Sequence, residues 1–211
     1  MTSIRVVVAT KKHLIYADSV CQLIEISAKE RGTGIAKREP EYIKMKIDEG
    51  KAIIALEGEQ LAGFCYIETW SDKSYVVNSG LIVAHAFRKS GLAKKIKRTA
   101  FEHSKKMFPN AKMFGLTTSL AVMKINSELG YHPVTYDRLT TDQVFWRGCS
   151  SCVNYEILKS KEQSNCICTA MLYDPKEKKN KKWDFIKKSS IYQRFMQIKK
   201  KQVNQIAENN E

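Results

Sequence analysis

A chain of 211 residues with 43% hydrophobic composition can bury a substantial core without covalent or metal staples, and its size suits one domain with an appendage. No apolar run approaches the roughly 20 residues of a membrane span, and Ile4-Arg5-Val6-Val7-Val8 is too short for a signal sequence, so a soluble cytoplasmic protein is expected, its six cysteines serving as thiols or metal ligands. The net charge of +14 decides little, because +7 of it, eleven Lys or Arg against four acids, lies between Lys176 and Glu211, and the remainder suits a polyanionic cofactor as well as DNA.

Ile4 to Ala9 is predicted as a first strand, followed by a helix over Lys11 to Glu30 with Leu14, Val20, Leu23, Ile24 and Ile26 on its apolar stripe. The Gly-containing segment from Arg31 to Gly34 interrupts it. Pro40 permits a short helix from Glu41, and Gly50 ends it. Strands over Lys51 to Leu56 and Gln60 to Trp70 are joined through Glu57-Gly58-Glu59, and a turn at 71–74 leads into a strand over Tyr75 to Val83, an antiparallel meander. The pattern then changes. A helix over Ser90 to Met107, a break at Pro109-Asn110, a strand over Lys112 to Thr117, a helix over Ser119 to Leu129 and an extended segment over Tyr131 to Tyr136 follow. The order implies an α/β fold, a mixed and mostly antiparallel sheet flanked by helices.

The segment Leu81-Ile82-Val83 through Arg88-Lys89-Ser90-Gly91-Leu92-Ala93 ends an apolar strand and opens a helix. A helix start offers unpaired amides to phosphate oxygens, and its dipole and the cations Arg88, Lys89, Lys94 and Lys95 favour negative charge. The spacing R-x-x-G-x-A taken alone fits an ordinary basic turn and helix cap equally well. Its place between strand and helix, with a second strand and helix ending in Glu128-Leu129-Gly130-Tyr131, resembles the GNAT N-acetyltransferase superfamily over residues 4–136. The resemblance implies acetyl-CoA or another acyl-CoA as cofactor, entering a gap between splayed fourth and fifth strands. Leu81, Ile82 and Val83 would bind the pantetheine arm, Arg88, Lys89, Ser90, Gly91, Leu92 and Ala93 the pyrophosphate, and Thr118 and Asn126 would line the far side. Asn126 stands where many members carry a tyrosine acid, and it cannot supply a proton at neutral pH.

An attacking amine must be neutral, so a base is needed near the thioester. Glu68 and His85 are the catalytic candidates by position, although an exposed strand carboxylate and a surface histidine account for them as well. Asn78 and Ser79 are read as substrate partners. Arg31, Lys37 and Arg38 lie where the superfamily builds its acceptor wall, and arginine forks suit carboxylates, though a solvated basic loop fits too.

Cys149 and Cys152, then Cys166 and Cys168, form C-x₂-C and C-x-C pairs. Four thiolates suit a structural zinc, and four reduced buried thiols are the alternative. The run from Phe145 to Pro175 resembles the extension of a bacterial acetyltransferase-like subfamily associated with arginine biosynthesis and glutamate acylation. The expected organisation is an acyltransferase core over 1–140, a cysteine-rich extension over 141–175 and a basic helical tail over 176–211. The expected partners are an acyl-CoA and a small amine, an acidic amino acid first, with a homodimer admitted. Two rivals stay open: a protein lysine acetyltransferase, and a nucleic-acid-binding protein with a zinc knuckle and a basic arm, which leaves the strand, phosphate loop and helix unexplained.

Overall fold

The computed structural model describes residues 3–31, 37–150, 152–177 and 197; the expected tail apart from residues 176, 177 and 197, and residues 32–36 of the basic loop, lie outside them. β1 (Arg5–Val8) is the edge of a seven-stranded sheet ordered β1-β2-β3-β4-β5-β7-β6. β2 (Ala52–Glu57), β3 (Gln60–Trp70) and β4 (Tyr75–Val83) form the meander that the turn residues imply. β5 (Lys112–Thr117) runs parallel to β4, as the crossover through α3 (Leu92–Met107) requires. The extended segment expected over 131–136 pairs only as β6 (His132–Pro133). Between β5 and β6 the sheet accepts β7 (Thr169–Tyr173), drawn from the run assigned to the extension. Its centre, Ala170-Met171-Leu172, is buried, so it reads as a continuous apolar run without the alternation of an exposed strand.

Residues 11–16 wind as a 3-10 turn before α1 (Ala17–Arg31), splitting the single helix expected there. α2 (Pro40–Asp48) starts with proline in its first turn. Successive strand residues point to opposite faces, and the two helical layers divide them. Ile24, Ile43 and Ile47 of α1 and α2 cover Ile54, Phe64, Tyr66 and Ile82. Leu92, Ile96 and Ala100 of α3 cover Ile53, Ala55, Ala62, Cys65 and Val83 from the other side. α4 (Leu120–Glu128), capped by the Ser119 hydroxyl, joins the α3 layer through Met123. α5 (Gln143–Arg147) and α6 (Tyr155–Ser160) place Trp146 and Leu158 against Val77, Phe114 and Leu172, on the face that carries α1 and α2. No helix among the described residues is long and apolar enough to cross a membrane.

Two irregularities in the sheet position the site. The Ile67 N–H donates to Lys51 O at 2.7 Å, so Ile67 turns its backbone toward β2, and its partner Asn78 turns its own N–H and C=O toward β5. The β4–β5 ladder, however, spans only Tyr75–Val77 against Lys112–Phe114. Both strands continue past that point without each other, and a V opens between them. On its β3 side, β4 takes three steps from Ser79 to Ile82 while β3 takes two from Tyr66 to Phe64, a bulge. Gly80 sits in it at φ +62°, and a Cβ there would lie 2.4 Å from Tyr66 Cε1. Only glycine both adopts the left-handed backbone and leaves room for the ring.

Candidate active site

The β4 arm of the V presents backbone groups. The Ala84 N–H donates to Ala62 O at 3.0 Å, so residues 82 and 84 face β3 and Leu81 and Val83 face the gap. Val83 O accepts from Arg88 Nε at 3.2 Å, and the Ile82 and Val83 side chains are buried. The chain then turns through Lys89 at φ 64° and Gly91 at φ 82°, with Ser90 Oγ donating to Phe87 O at 2.7 Å. The first bond inside α3 runs from Lys95 N–H to Gly91 O at 3.2 Å, so the amides of Leu92, Ala93 and Lys94 precede it at the positive end of the helix dipole. A Cβ on Gly91 would meet nothing within 4 Å, which leaves the approach open. The flanking cations are partly tethered: Arg88 pairs with Glu30 of α1, and Lys94 with Glu128 of α4 at 2.8 Å.

The β5 arm is capped by the turn at Thr118 and by α4. Asn126 is 1% exposed; its Nδ2 approaches Met171 Sδ at 3.8 Å, and its Oδ1 has no partner. A Cβ on Gly115 of β5 would stand 3.7 Å from the same Nδ2, so the amide lies over the arm just past the last β4 pairing.

On the α2 face of β3, Glu68 is 13% exposed and its Oε2 accepts from Lys46 Nζ at 3.0 Å. Burial pushes the carboxyl up to about 7, with Arg38 opposing. The ammonium 3.0 Å away also opposes that rise, and Lys46 in turn is pushed down by its burial and held up by Glu49 at 3.7 Å. Arg38 Nε donates to the Tyr66 hydroxyl at 2.9 Å, and the guanidinium lies over Tyr42 and Tyr66 at 5.4 and 5.9 Å from the ring centroids. Ser79 is the cross-strand partner of Tyr66 on β4. The structure therefore brings together Arg38, Glu68 and Ser79 from the sequence reading, and adds Lys46, Tyr42 and Tyr66. Lys46 carries a signal that was available: it shares the α2 face of Ile43 and Ile47 at helical spacing, where a solvated lysine does not belong.

Other expected site residues fall elsewhere. His85 is exposed beyond the end of β4, whereas Glu68 pairs with Val77, six residues before Val83 on that strand, so the two are not neighbours. Asn78 turns its side chain to the α3 face, where Nδ2 donates to Ser104 Oγ at 2.8 Å, so it does not face Arg38. Lys37 pairs with Glu39 at 3.3 Å. Arg31 ends α1, and its side chain lies outside the described residues.

The cysteine pairs meet around Asn154: its N–H donates to Cys152 Sγ at 3.5 Å, and Cys166 Sγ donates to its carbonyl at 3.9 Å. Burial pushes Cys149 up to about 11 and Cys168 up to about 12, neighbouring cysteines adding to it. Among the described residues, no group of three or more His, Cys, Asp or Glu is arranged to hold a metal ion. The expected four-thiolate zinc site at Cys149, Cys152, Cys166 and Cys168 thus finds no support; Cys149 and Cys166 pack against the cluster that holds Trp146 and Tyr155.

A V between two parallel strands, bordered by a glycine-led helix start and a buried polar face, is the architecture of an acyl-CoA N-acyltransferase. Residues 20–123 match the family described as Acetyltransferase (GNAT) family, and this stretch of the chain is an acetyltransferase domain of that family. No curated protein matches the chain by sequence. Among solved structures, N-acetylglutamate synthase from Neisseria gonorrhoeae, complexed with coenzyme A and N-acetyl-glutamate, superposes with a TM-score of 0.57 at 13% identity over 84% of this chain. The chain spans only 36% of that protein's length. A GNAT-family acetyltransferase from Staphylococcus aureus gives 0.56 at 12% identity, covering 82% of this chain and 100% of that one. The ribosomal-protein-S18-alanine N-acetyltransferase from Escherichia coli gives 0.50 at 10% identity, covering 83% and 96%. At these identities the likeness is one of fold.

Proposed function

We propose that the protein transfers an acetyl or succinyl group from acyl-CoA to the amine of a small acidic amino acid, glutamate first, as in arginine biosynthesis. The observation that carries this reading is the cluster of Arg38, Tyr66, Lys46 and Glu68 on the α2 face of β3. Arg38 spends Nε on Tyr66 and Nη1 on Lys37 O, and among the described residues Nη2 has no hydrogen bond, so it can receive an acceptor carboxylate. Glu68 takes the proton of the acceptor ammonium, a task suited to a carboxyl whose burial moves it toward neutrality. The amides of Leu81 and Val83 align the pantetheine, and those of Leu92 and Ala93 hold the pyrophosphate, with Thr118 and Asn126 across the gap. The N-acetyl-glutamate held by the Neisseria enzyme fits this acceptor class, whereas the Escherichia coli enzyme named for a ribosomal-protein alanine marks the alternative that the fold equally supports.

The test is steady-state release of coenzyme A from acetyl-CoA and succinyl-CoA with glutamate, aspartate, ornithine and a lysine peptide side by side. Glutamate should give the highest kcat/KM. Faster turnover of the lysine peptide would replace this reading with protein acylation.

A further inference from the structure

Lys97, on the sheet-facing side of α3, is 3% exposed, and among the described residues no carboxylate lies within ion-pair distance of it. Its Nζ points to Asn78 O at 3.4 Å. Asn78 O faces β5 and is the first carbonyl of β4 that the β4–β5 ladder no longer reaches, so the ammonium stands at the apex of the V. The groups around it are Asn78 of β4, Cys65 of β3 and Tyr131 after α4, whose ring centroid is 5.7 Å from Nζ. None of them carries a negative charge at neutral pH, since burial holds the Cys65 thiol up at about 11 and raises the Tyr131 phenol as well.

A buried ammonium with a single weak acceptor is costly unless something anionic or strongly accepting joins it. Three further polar atoms of the same interior lack partners: Asn78 Oδ1, Tyr131 Oη and Asn126 Oδ1. Lys97 serves the β4 arm and Asn126 the β5 arm, and between them lies the gap into which acyl-CoA inserts in this family. The Asn126 amide is far too weak an acid to protonate the departing sulfur.

We propose that Lys97 meets the sulfur of coenzyme A at the apex of the V and protonates it as the thioester breaks. The acceptor nitrogen forms its bond to the acyl carbon; the C–S bond breaks, its electron pair staying on sulfur; one proton passes from Lys97 Nζ to that sulfur. The proton shed by the acceptor nitrogen leaves through the base, and Lys97 recovers its own from water. Burial, which pushes this ammonium below its ordinary pKa, makes it the stronger acid toward a thiolate.

The proposal rests on coenzyme A binding in the V, and the test separates the two. Reduced coenzyme A is bound to the full chain and its thiolate absorbance is followed against pH, with the desulfo-coenzyme A complex as the blank that removes the protein's own thiols. The bound thiol should ionise about one pH unit or more below the free one, about tenfold more thiolate at a given pH. Lys97→Met should abolish that shift, and Lys97→Arg should keep most of it. A bound thiol that titrates like free coenzyme A in the wild-type protein overturns the proposal whether or not the variants fold, and an unchanged shift in Lys97→Met overturns it too. Failure of the wild-type protein to bind coenzyme A by calorimetry would instead remove the cofactor site itself, and this role with it.

Discussion

Lys46 Nζ stands 3.0 Å from Glu68 Oε2, and the two side chains are 7% and 13% exposed. A buried carboxylate of β3 is thus held by a lysine of α2, and its protonation is a property of the pair.

This sets a pH dependence. Burial raises Glu68 to about 7, and only the ionised form can accept a proton, so kcat/KM should rise with pH through that region. Glu68→Gln should lower it by about 10²–10⁴-fold and flatten the acidic limb. Lys46→Met removes the charge that opposes the rise, so its acidic limb should move to higher pH. A pH–rate profile of the three proteins checks this; a limb that persists in Glu68→Gln belongs to another group.

Gly80→Ala would set a methyl against the Tyr66 ring, 2.4 Å from Cε1, on a left-handed backbone. The bulge should cost roughly 2–4 kcal/mol to hold. Urea unfolding measures that loss. Because Tyr66 carries the Arg38 contact, KM for the acceptor should rise in the variant more than KM for acyl-CoA.

At Gly91 the space is open but the backbone is left-handed. Gly91→Ala should therefore cost about 1 kcal/mol of stability with little change in coenzyme A affinity. Gly91→Glu should bring a carboxylate to the pyrophosphate and weaken binding by at least about tenfold. Calorimetric titration beside a thermal melt separates the two effects, and unchanged affinity in Gly91→Glu would place the phosphates elsewhere.

Arg38→Ala should raise KM for glutamate roughly ten- to a hundredfold, the loss of one charge-assisted hydrogen bond of about 1.5–3 kcal/mol, while KM for acyl-CoA stays nearly constant. Arg38→Lys should restore part of it, since an ammonium lacks the fork. Equal effects on both substrates would assign Arg38 to packing over Tyr42 and Tyr66.

The meander, the crossover and the strand-to-helix turn before α3 were legible because each has a local cause: glycine turns between apolar runs, proline at the start of α2, and a strand that yields directly to a helix. The polar face of β3 was only half legible. Glu68 could be singled out by position, but Lys46 reaches it across 22 positions of chain, and no local pattern joins them. Lys97 stands among the many basic residues of α3, and nothing local marks it off from them, yet it lies on the same buried side as Phe101 and Ser104. β7 was missed because its cysteine neighbours suggested a separate module, while its partners Met113–Thr117 lie more than fifty positions earlier. Pairing at such separation is a property of the assembled sheet.

That last pairing bears on when the cofactor cleft can exist. β5 holds β4 over three residues but β7 over five, so the outer arm of the V is braced chiefly by a strand near the end of the described chain. During synthesis residues 88–93, the turn before α3, emerge well before Thr169. Until then the arm that should flank it has one short ladder and an unpaired edge. A nascent chain can wind α3, but it has no fixed opening in which to seat an acyl-CoA. The opening is therefore complete only once β7 has paired, and the cysteine-bearing segment between β6 and β7 is the last stretch of chain threaded before it acquires its width.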